Sequence, residues 1–268
     1  MTLKLDIPCM ILAAGRGERM RPLTDHVPKP LLEIHGQSLL DHHLSRLKDA
    51  GFENIVINHA WLGHLIEEAL GDGSTRGLKI KYSGETQALE TAGGIRQALP
   101  LLNPKDYFFV INGDVYCPDF PFHRIGALVK QLRAKLKLRT DASSPSSMAD
   151  TKEQSDDQNT LAYLFLVPNP EHHPKGDFFL DEHTQGQVFF EASQATKNPY
   201  NIHTIERYTF SGAGLYHKSL FANLIPGEKA ALAPLLKEAM SKMQAFGELL
   251  SCSWHDVGTP QRLEQLNK

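Results

Sequence analysis

Apolar and polar positions follow two periods along this chain. From Cys9 to Ala14 the residues CMILAA form an uninterrupted apolar run, the length of a strand buried on both faces. The stretch SLLDHHLSRLKDAGF, opening at Ser38, instead places Leu39, Leu40, Leu44 and Leu47 at helical spacing, with Ser38 as N-cap and Gly51 as stop. The two patterns then alternate. NIVINHA reads as strand, WLGHLIEEALGDG as helix, LKIKYS as strand, TAGGIRQALPLL as helix and YFFVINGD as strand. This alternation predicts an α/β fold with a doubly wound, mostly parallel sheet, whose ligands sit beyond the carboxyl ends of the strands.

The second half reads differently. A helix starting near Phe120 runs into RAKLKLRTDASSPSSMADTKEQSDDQNT, which has almost no large apolar residue after Leu138 and reads as a flexible, solvated insertion over 139–159. Beyond it, LAYLFLVPNP, DFFLDE, QVFFEA and RYTFSGAGLYH read as strands of a smaller antiparallel part. LAPLLKEAMSKM and PQRLEQL read as helices.

Length and charge narrow the partners. A chain of 268 residues with 41% hydrophobic content buries a sizeable core, and its net charge of −3 argues against a general nucleic-acid binder. No apolar run reaches the roughly 20 residues that span a bilayer, and Asp6 and Pro8 interrupt the N-terminal stretch, so a cytoplasmic protein without membrane contact is expected. Cys9, Cys117 and Cys252 are far apart, without a CxxC pair, and suggest neither a disulfide framework nor a zinc site.

Chemistry gathers at the end of the first strand. Gly15 and Gly17 break the apolar run, and Arg16, Arg19, Arg21 and Lys29 cluster beside the turn. A Walker A loop would follow its last glycine with Lys and Ser/Thr, but Glu18-Arg19 stands there; a dinucleotide fingerprint would place a third glycine where Met20 stands. The basic cluster therefore points to a different phosphate site. Asp114 follows the strand YFFVING at the same predicted edge, and Asp256 follows a second apolar segment before a Gly-Thr-Pro turn. Two carboxylates with phosphate oxygens and water suit magnesium, a small hard ion that keeps several waters. The thirteen histidines show no HExxH, and His42-His43 diverge on a helix and cannot share one ion.

LAAGRGERMRPLTDHVPKPL, from Leu12 to Leu31, resembles the opening motif LAAGxGxRxxPLTxxxPKPL of the sugar-1-phosphate nucleotidyltransferases. NGDV at Asn112 and WHDVGTPQRL at Trp254 are similar to that family's two metal-carboxylate segments. The segments NHAWLG, LETAGGI, NPEHHPKGDF, YTFSGAGLYH and LAPLL resemble its branch that uridylylates N-acetylmuramic acid 1-phosphate in cell-wall (peptidoglycan) recycling.

The resemblance implies a Rossmann-like fold of the nucleotide-diphospho-sugar transferase type, one domain over 1–268. Residues 1–118 would form a nucleotide-binding half and 160–268 a sugar-binding half. It implies an enzyme that joins UTP and a sugar 1-phosphate into a UDP-sugar and pyrophosphate with Mg2+. The alternatives are a mannose- or heptose-1-phosphate guanylyltransferase, or a non-catalytic regulatory member. Ala14, Gly15 and Gly17 would bring backbone amides to the nucleotide, with Glu18 beside them. Arg16 and Arg19 would hold the triphosphate, Lys29 would bridge the reacting phosphates, and the base would sit over ETQALETAGG, where glycines and helix N-terminal amides can approach it, with Glu90 and Thr91 as its contacts. Arg19, Lys29 and Asp114 are the catalytic candidates. Asn112 would serve nucleotide and sugar together, and Asn169, Gly176, Asp177 and Glu191 the sugar; Asp114 and Asp256 would hold the metal. FFEASQA stands where relatives specific for other sugars carry Glu-Lys-Pro, so no sugar-binding lysine is carried over. A monomer or weak homodimer is expected, in a chain without a long C-terminal extension.

Overall fold

The nine-stranded sheet at the centre of the protein is buried on both faces, which is why its first strands read as unbroken apolar runs. In this computed structural model residues 4–142, 159–184, 186–192 and 205–268 are described. The expected insertion falls mostly outside them, although its first residues, 139–142, belong to a helix that continues from Ile125.

The strands are β1 (Cys9–Leu12), β2 (Glu33–Ile34), β3 (Gln37–Ser38), β4 (Asn54–His59), β5 (Lys79–Gly84), β6 (Tyr107–Asn112) and β7 (Val115–Tyr116) in the first half. They are followed by β8 (Ala162–Val167), β9 (Phe178–Asp181), β10 (Gln187–Phe189), β11 (Glu206–His217), β12 (Ala245–Leu249) and β13 (His255–Asp256). Among the described residues the helices are α1 (Leu39–Asp49), α2 (Gly63–Leu70), α3 (Glu90–Leu102), α4 (Ile125–Ala142), α5 (Leu232–Ser241) and α6 (Pro260–Leu266). The main sheet runs β5-β4-β1-β6-β11-β8-β12-β10-β9. β5, β4, β1 and β6 are mutually parallel, whereas β11 runs antiparallel to β6, β8 and β9. Because β9 also pairs with the start of β11, the pairings of the second half return to where they began.

Alternate residues of one strand serve opposite cores, as the two-residue pleat demands. Cys9 and Ile11 of β1, with Tyr107, Phe109 and Ile111 of β6, pack with Leu40, Leu44 and Leu47 of α1, Ile66 of α2 and Val129 of α4. Met10, Phe108 and Val110 pack on the other face with Ile95 and Ala98 of α3 and with Leu236 and Met240 of α5. α1 starts as its sequence suggests: the Ser38 hydroxyl accepts the Asp41 amide at 3.0 Å. Gly51 lies beyond its end with φ +95°, a conformation costly for other residues.

From β1 the chain steps outward to β4 and β5, then crosses under α3 to β6 on the other side of β1. The crevice between β1 and β6, where the direction of travel reverses, is the topological switch point, the place where open α/β sheets bind ligands. The chain is an α/β protein of this class, with an antiparallel second half. Two short ribbons, β2–β3 and β7–β13, were not legible as strands, since two residues carry no measurable periodicity.

Candidate active site

A cavity of about 260 Å³ opens at the switch point, lined by the ends of β1, β4 and β6 and the start of α3. Ala14, Gly15, Lys29, Glu90, Thr91, Asn112 and Asp114 all line it, although they come from four separate stretches of sequence.

Glycine makes the central contact. A side chain on Gly113 would lie 2.9 Å from the Leu12 carbonyl and 3.6 Å from Pro30 Cβ, so only a bare backbone lets the end of β6 lie against the loop bearing Lys29. Gly113 N donates to Leu12 O at 2.8 Å. Asp114 then faces Lys29, whose Nζ donates to Asp114 Oδ2 at 2.6 Å. Lys29 starts a 3₁₀ turn, Lys29–Leu31, behind an extended Pro28, and the two flanking prolines limit the freedom of its backbone. Its side chain is only 8% exposed, against 37% for Asp114, so the cation is held in a dry wall while its carboxylate partner faces solvent. Gly17, at φ +70°, lies under the Lys29 stem: a methyl there would come within 3.2 Å of Lys29 Cβ.

The loop arginines differ from one another. Arg16 donates to Thr24 O at 2.8 Å and to Asp25 Oδ1 at 3.2 Å, and its guanidinium carbon sits 3.6 Å from the centre of the Trp61 ring. Trp61 donates to the same Thr24 carbonyl at 2.9 Å. Glu18 faces Arg16 at 3.6 Å. Arg19 is exposed and has no hydrogen bond or ion pair among the described residues, with its charge near His172.

Asp256 reaches this edge by another route. β13 pairs with β7, setting Asp256 opposite Val115, and Val257 N donates to Asp114 O at 3.2 Å. Its carboxylate takes Arg262 Nη1 at 2.7 Å and lies 3.8 Å from His172 Nε2, in a neighbouring hollow of about 440 Å³. Loss of solvent, then the Arg262 charge, lower the His172 pKa.

Asn169, Gly176 and Asp177 come together on the second half. Asn169 donates to Arg207 O at 2.8 Å and accepts from Thr209; Asp177 accepts the Phe210 amide at 2.8 Å and faces His173 at 3.1 Å. Gly176, at φ +60°, leaves room for both Asn169 and the Tyr208 backbone. These contacts pin the loop before β9 onto β11. Asn112 packs under Gly212 of β11, at an irregularity in the β11–β8 register, and so touches both halves. Glu191 is exposed beyond β10, outside the cavity lining.

Asn58 of the cavity escaped the sequence reading, and Glu85 was read only as the start of the segment under the base. Asn58 Oδ1 accepts the Ala13 amide at 2.9 Å, and its Nδ2 donates to Glu85 Oε1 at 2.7 Å. Glu85 is buried and also accepts Leu89 N at 2.9 Å. Both are polar residues at or just beyond a parallel strand's carboxyl end, the same signal that picked out Asp114. The α3 amides also differ from expectation. Ala92 N and Gly93 N both donate to Ala230 O, at 2.9 and 3.0 Å, leaving Glu90 and Thr91 as the part of the helix start that meets the cavity. Glu90 holds φ +60°, a strained value of the kind found at ligand sites. A larger hollow of about 610 Å³ beside α1 shares no residue with the switch point, and Asp41 and Arg76 within it already pair at 3.0 Å.

The model of the nucleotidyl transferase family matches residues 9–149, the span from β1 into the stretch after α4. The chain belongs to the nucleotidyl transferase family and is an enzyme of that class. It is 44% identical over 257 residues to the N-acetylmuramate alpha-1-phosphate uridylyltransferase of Neisseria meningitidis, covering 96% of this chain and 95% of that one. A mannose-1-phosphate guanylyltransferase of Mycobacterium tuberculosis is 39% identical over 109 residues, covering 41% of this chain and 30% of the relative. Among solved structures, HddC from Yersinia pseudotuberculosis, crystallised with GMP-PN, superposes with a TM-score of 0.61 at 18% identity. That likeness covers 97% of this chain and 98% of the other, and is one of fold. Enzymes of this family typically use a divalent metal, and no helix among the described residues is long and apolar enough to cross a membrane.

Proposed function

We propose that this enzyme transfers a uridylyl group from UTP to N-acetylmuramic acid 1-phosphate, forming the UDP-sugar and pyrophosphate, in cytoplasmic recycling of cell-wall sugar. The observation that carries this reading is the switch-point cavity, lined by the Lys29–Asp114 pair together with Glu90 and Thr91. The near full-length similarity to a uridylyltransferase supports UTP and that sugar, because it spans 96% of this chain, against 41% for the guanylyltransferase.

In the reaction an oxygen of the sugar phosphate bonds to the α-phosphorus while the bond to the β-phosphate oxygen breaks. A phosphate monoester, with a second pKa of about 6, is already mostly dianionic near neutrality, so no general base is needed. The demands are alignment of two anions and stabilisation of charge on the equatorial and leaving oxygens. Lys29 is pre-positioned for this: its ammonium is fixed in a dry wall by a solvent-facing carboxylate that an incoming phosphate oxygen can displace. Arg19, without an ion pair among the described residues, is available to the departing pyrophosphate. Arg16, clasped by Thr24, Asp25 and Trp61, sets the shape of the loop and lends its charge at fixed distance. Glu90 and Thr91 would orient the base, and Asn112, Asn169, Gly176, Asp177 and Glu191 the sugar side.

Asp114 and Asp256 fit a magnesium ion by donor chemistry: both are hard carboxylates at adjoining strand ends, and each already faces a cation, Lys29 or Arg262. Bound there, the ion would polarise phosphate oxygens and offset their repulsion.

The test is pyrophosphate release with each common nucleoside triphosphate against muramic, mannose, heptose and glucosamine 1-phosphates. UTP with N-acetylmuramic acid 1-phosphate should give the highest kcat/KM. A clear preference for GTP with mannose or heptose 1-phosphate would replace this reading with the guanylyltransferase one.

A further inference from the structure

Cys117 and Cys252, isolated thiols by sequence, meet beside the ribbon that carries Asp256. Cys117 directly follows β7 and Cys252 lies just ahead of β13. Their sulfur atoms and a carboxylate oxygen of Asp119 lie within 4.8 Å of one another. The Cys117 thiol donates to Asp119 Oδ1 at 3.7 Å. The Asp119 carboxylate is aimed in turn by the Ser253 amide, at 2.9 and 3.2 Å from its two oxygens. Arg46 donates to the carbonyls of Cys117 and Phe120, which holds the turn between them. Cys117 is buried, Cys252 half-buried and Asp119 exposed, so the cluster has a dry floor and an opening to solvent.

We propose that Cys117, Asp119 and Cys252 form a binding site for a thiophilic divalent cation of the zinc type, separate from the phosphate site. Two sulfurs and one carboxylate oxygen are the donors that soft and borderline ions select over magnesium. Tetrahedral zinc, with bonds near 2.3 Å to sulfur and about 2.1 Å to oxygen, would need these atoms to draw together by about 1 Å at most. Three protein ligands leave one position for water from the open side. The ion would tie the β7 side of the ribbon to the β13 side, and so brace the strand ends on which Asp114 and Asp256 sit.

Cobalt(II) titrated into the reduced, chelator-treated full chain reads the site without reference to turnover. Wild type should develop sulfur-to-cobalt charge-transfer absorption at one ion per chain, lost when zinc is added, and its melting temperature should rise with zinc. Cys252→Ser, at a half-buried position, should lose the band, and the exposed Asp119→Asn should weaken binding by at least about tenfold, the scale of a perturbed ligand shell. Asp114→Ala should keep the band, which separates this site from the catalytic reading. Absence of the band in wild type at millimolar cobalt, or its survival in folded Cys252→Ser, overturns the proposal.

Discussion

Replacing Lys29 by methionine removes one ammonium and little else, which makes it the sharpest probe of the proposed chemistry. The lysine stem is packed, 8% exposed over Gly17, and methionine keeps an unbranched chain of similar length there, so packing is largely preserved. The ion pair at 2.6 Å is lost, yet Asp114 is 37% exposed and can rehydrate. Stability should therefore change by about 1 kcal/mol or less. Turnover should behave otherwise. A charge-assisted contact that strengthens as the transition state forms contributes about 3 kcal/mol, so kcat and kcat/KM should fall together by about 100-fold or more. Lys29→Arg should rescue only in part, because a planar guanidinium keeps the charge but not the compact fit of the lysine packed over Gly17. Steady-state pyrophosphate release, read beside a thermal melt of each variant, makes the comparison. A folded Lys29→Met enzyme with unchanged kcat and kcat/KM would remove Lys29 from the mechanism. A melting loss worth several kcal/mol would show instead that the ammonium serves the fold.

Asp114→Ala and Asp256→Ala should each nearly abolish turnover while leaving circular dichroism intact; near wild-type rates across a magnesium titration would end the metal-ligand assignment of that residue. Gly94→Ala should cost about 1–3 kcal/mol and raise the KM for nucleotide, since its methyl would sit 2.7 Å from Glu85 Oε1 and 2.9 Å from Asn58 Nδ2. An unshifted melt would show that this pair yields freely. Burial lowers the pKa of His43 from 6.5 to about 4, so the unfolded chain binds the proton first as pH falls. Its contribution is intact above pH 6.5 and declines toward pH 4, by about 2 kcal/mol between pH 7 and pH 5. Denaturant unfolding at both pH values should show a loss that is smaller by that amount in His43→Gln, and equal losses in the two proteins would refute the assignment.

The strand–helix alternation of the first half, the capped start of α1 and the loop from Gly15 to Leu31 were legible in the chain alone, because periodicity, caps and glycine turns act over a few neighbouring residues. The same locality brought out Asp114, a carboxylate following an apolar strand. It could not bring out what the sheet order decides. Asn58 and Glu85 matter because β4 ends beside β1 and β5 beside β4, and Gly93 and Gly94 are small to admit the Glu228 carbonyl and the Glu85 carboxylate, whereas the sequence suggested a nucleotide at those glycines. Arg16 reads like Arg19 until Trp61, from the next strand–helix connection, closes over it. β12 carries too mixed a pattern, and β7 and β13 are too short, to show as strands until their partners satisfy their backbone groups. Cys117 and Cys252 lie far apart along the chain and meet only through the β7–β13 pairing. Local physics chose the elements and the phosphate loop; long-range pairing, which leaves no periodic trace in the sequence, chose which side chains face one another across the site.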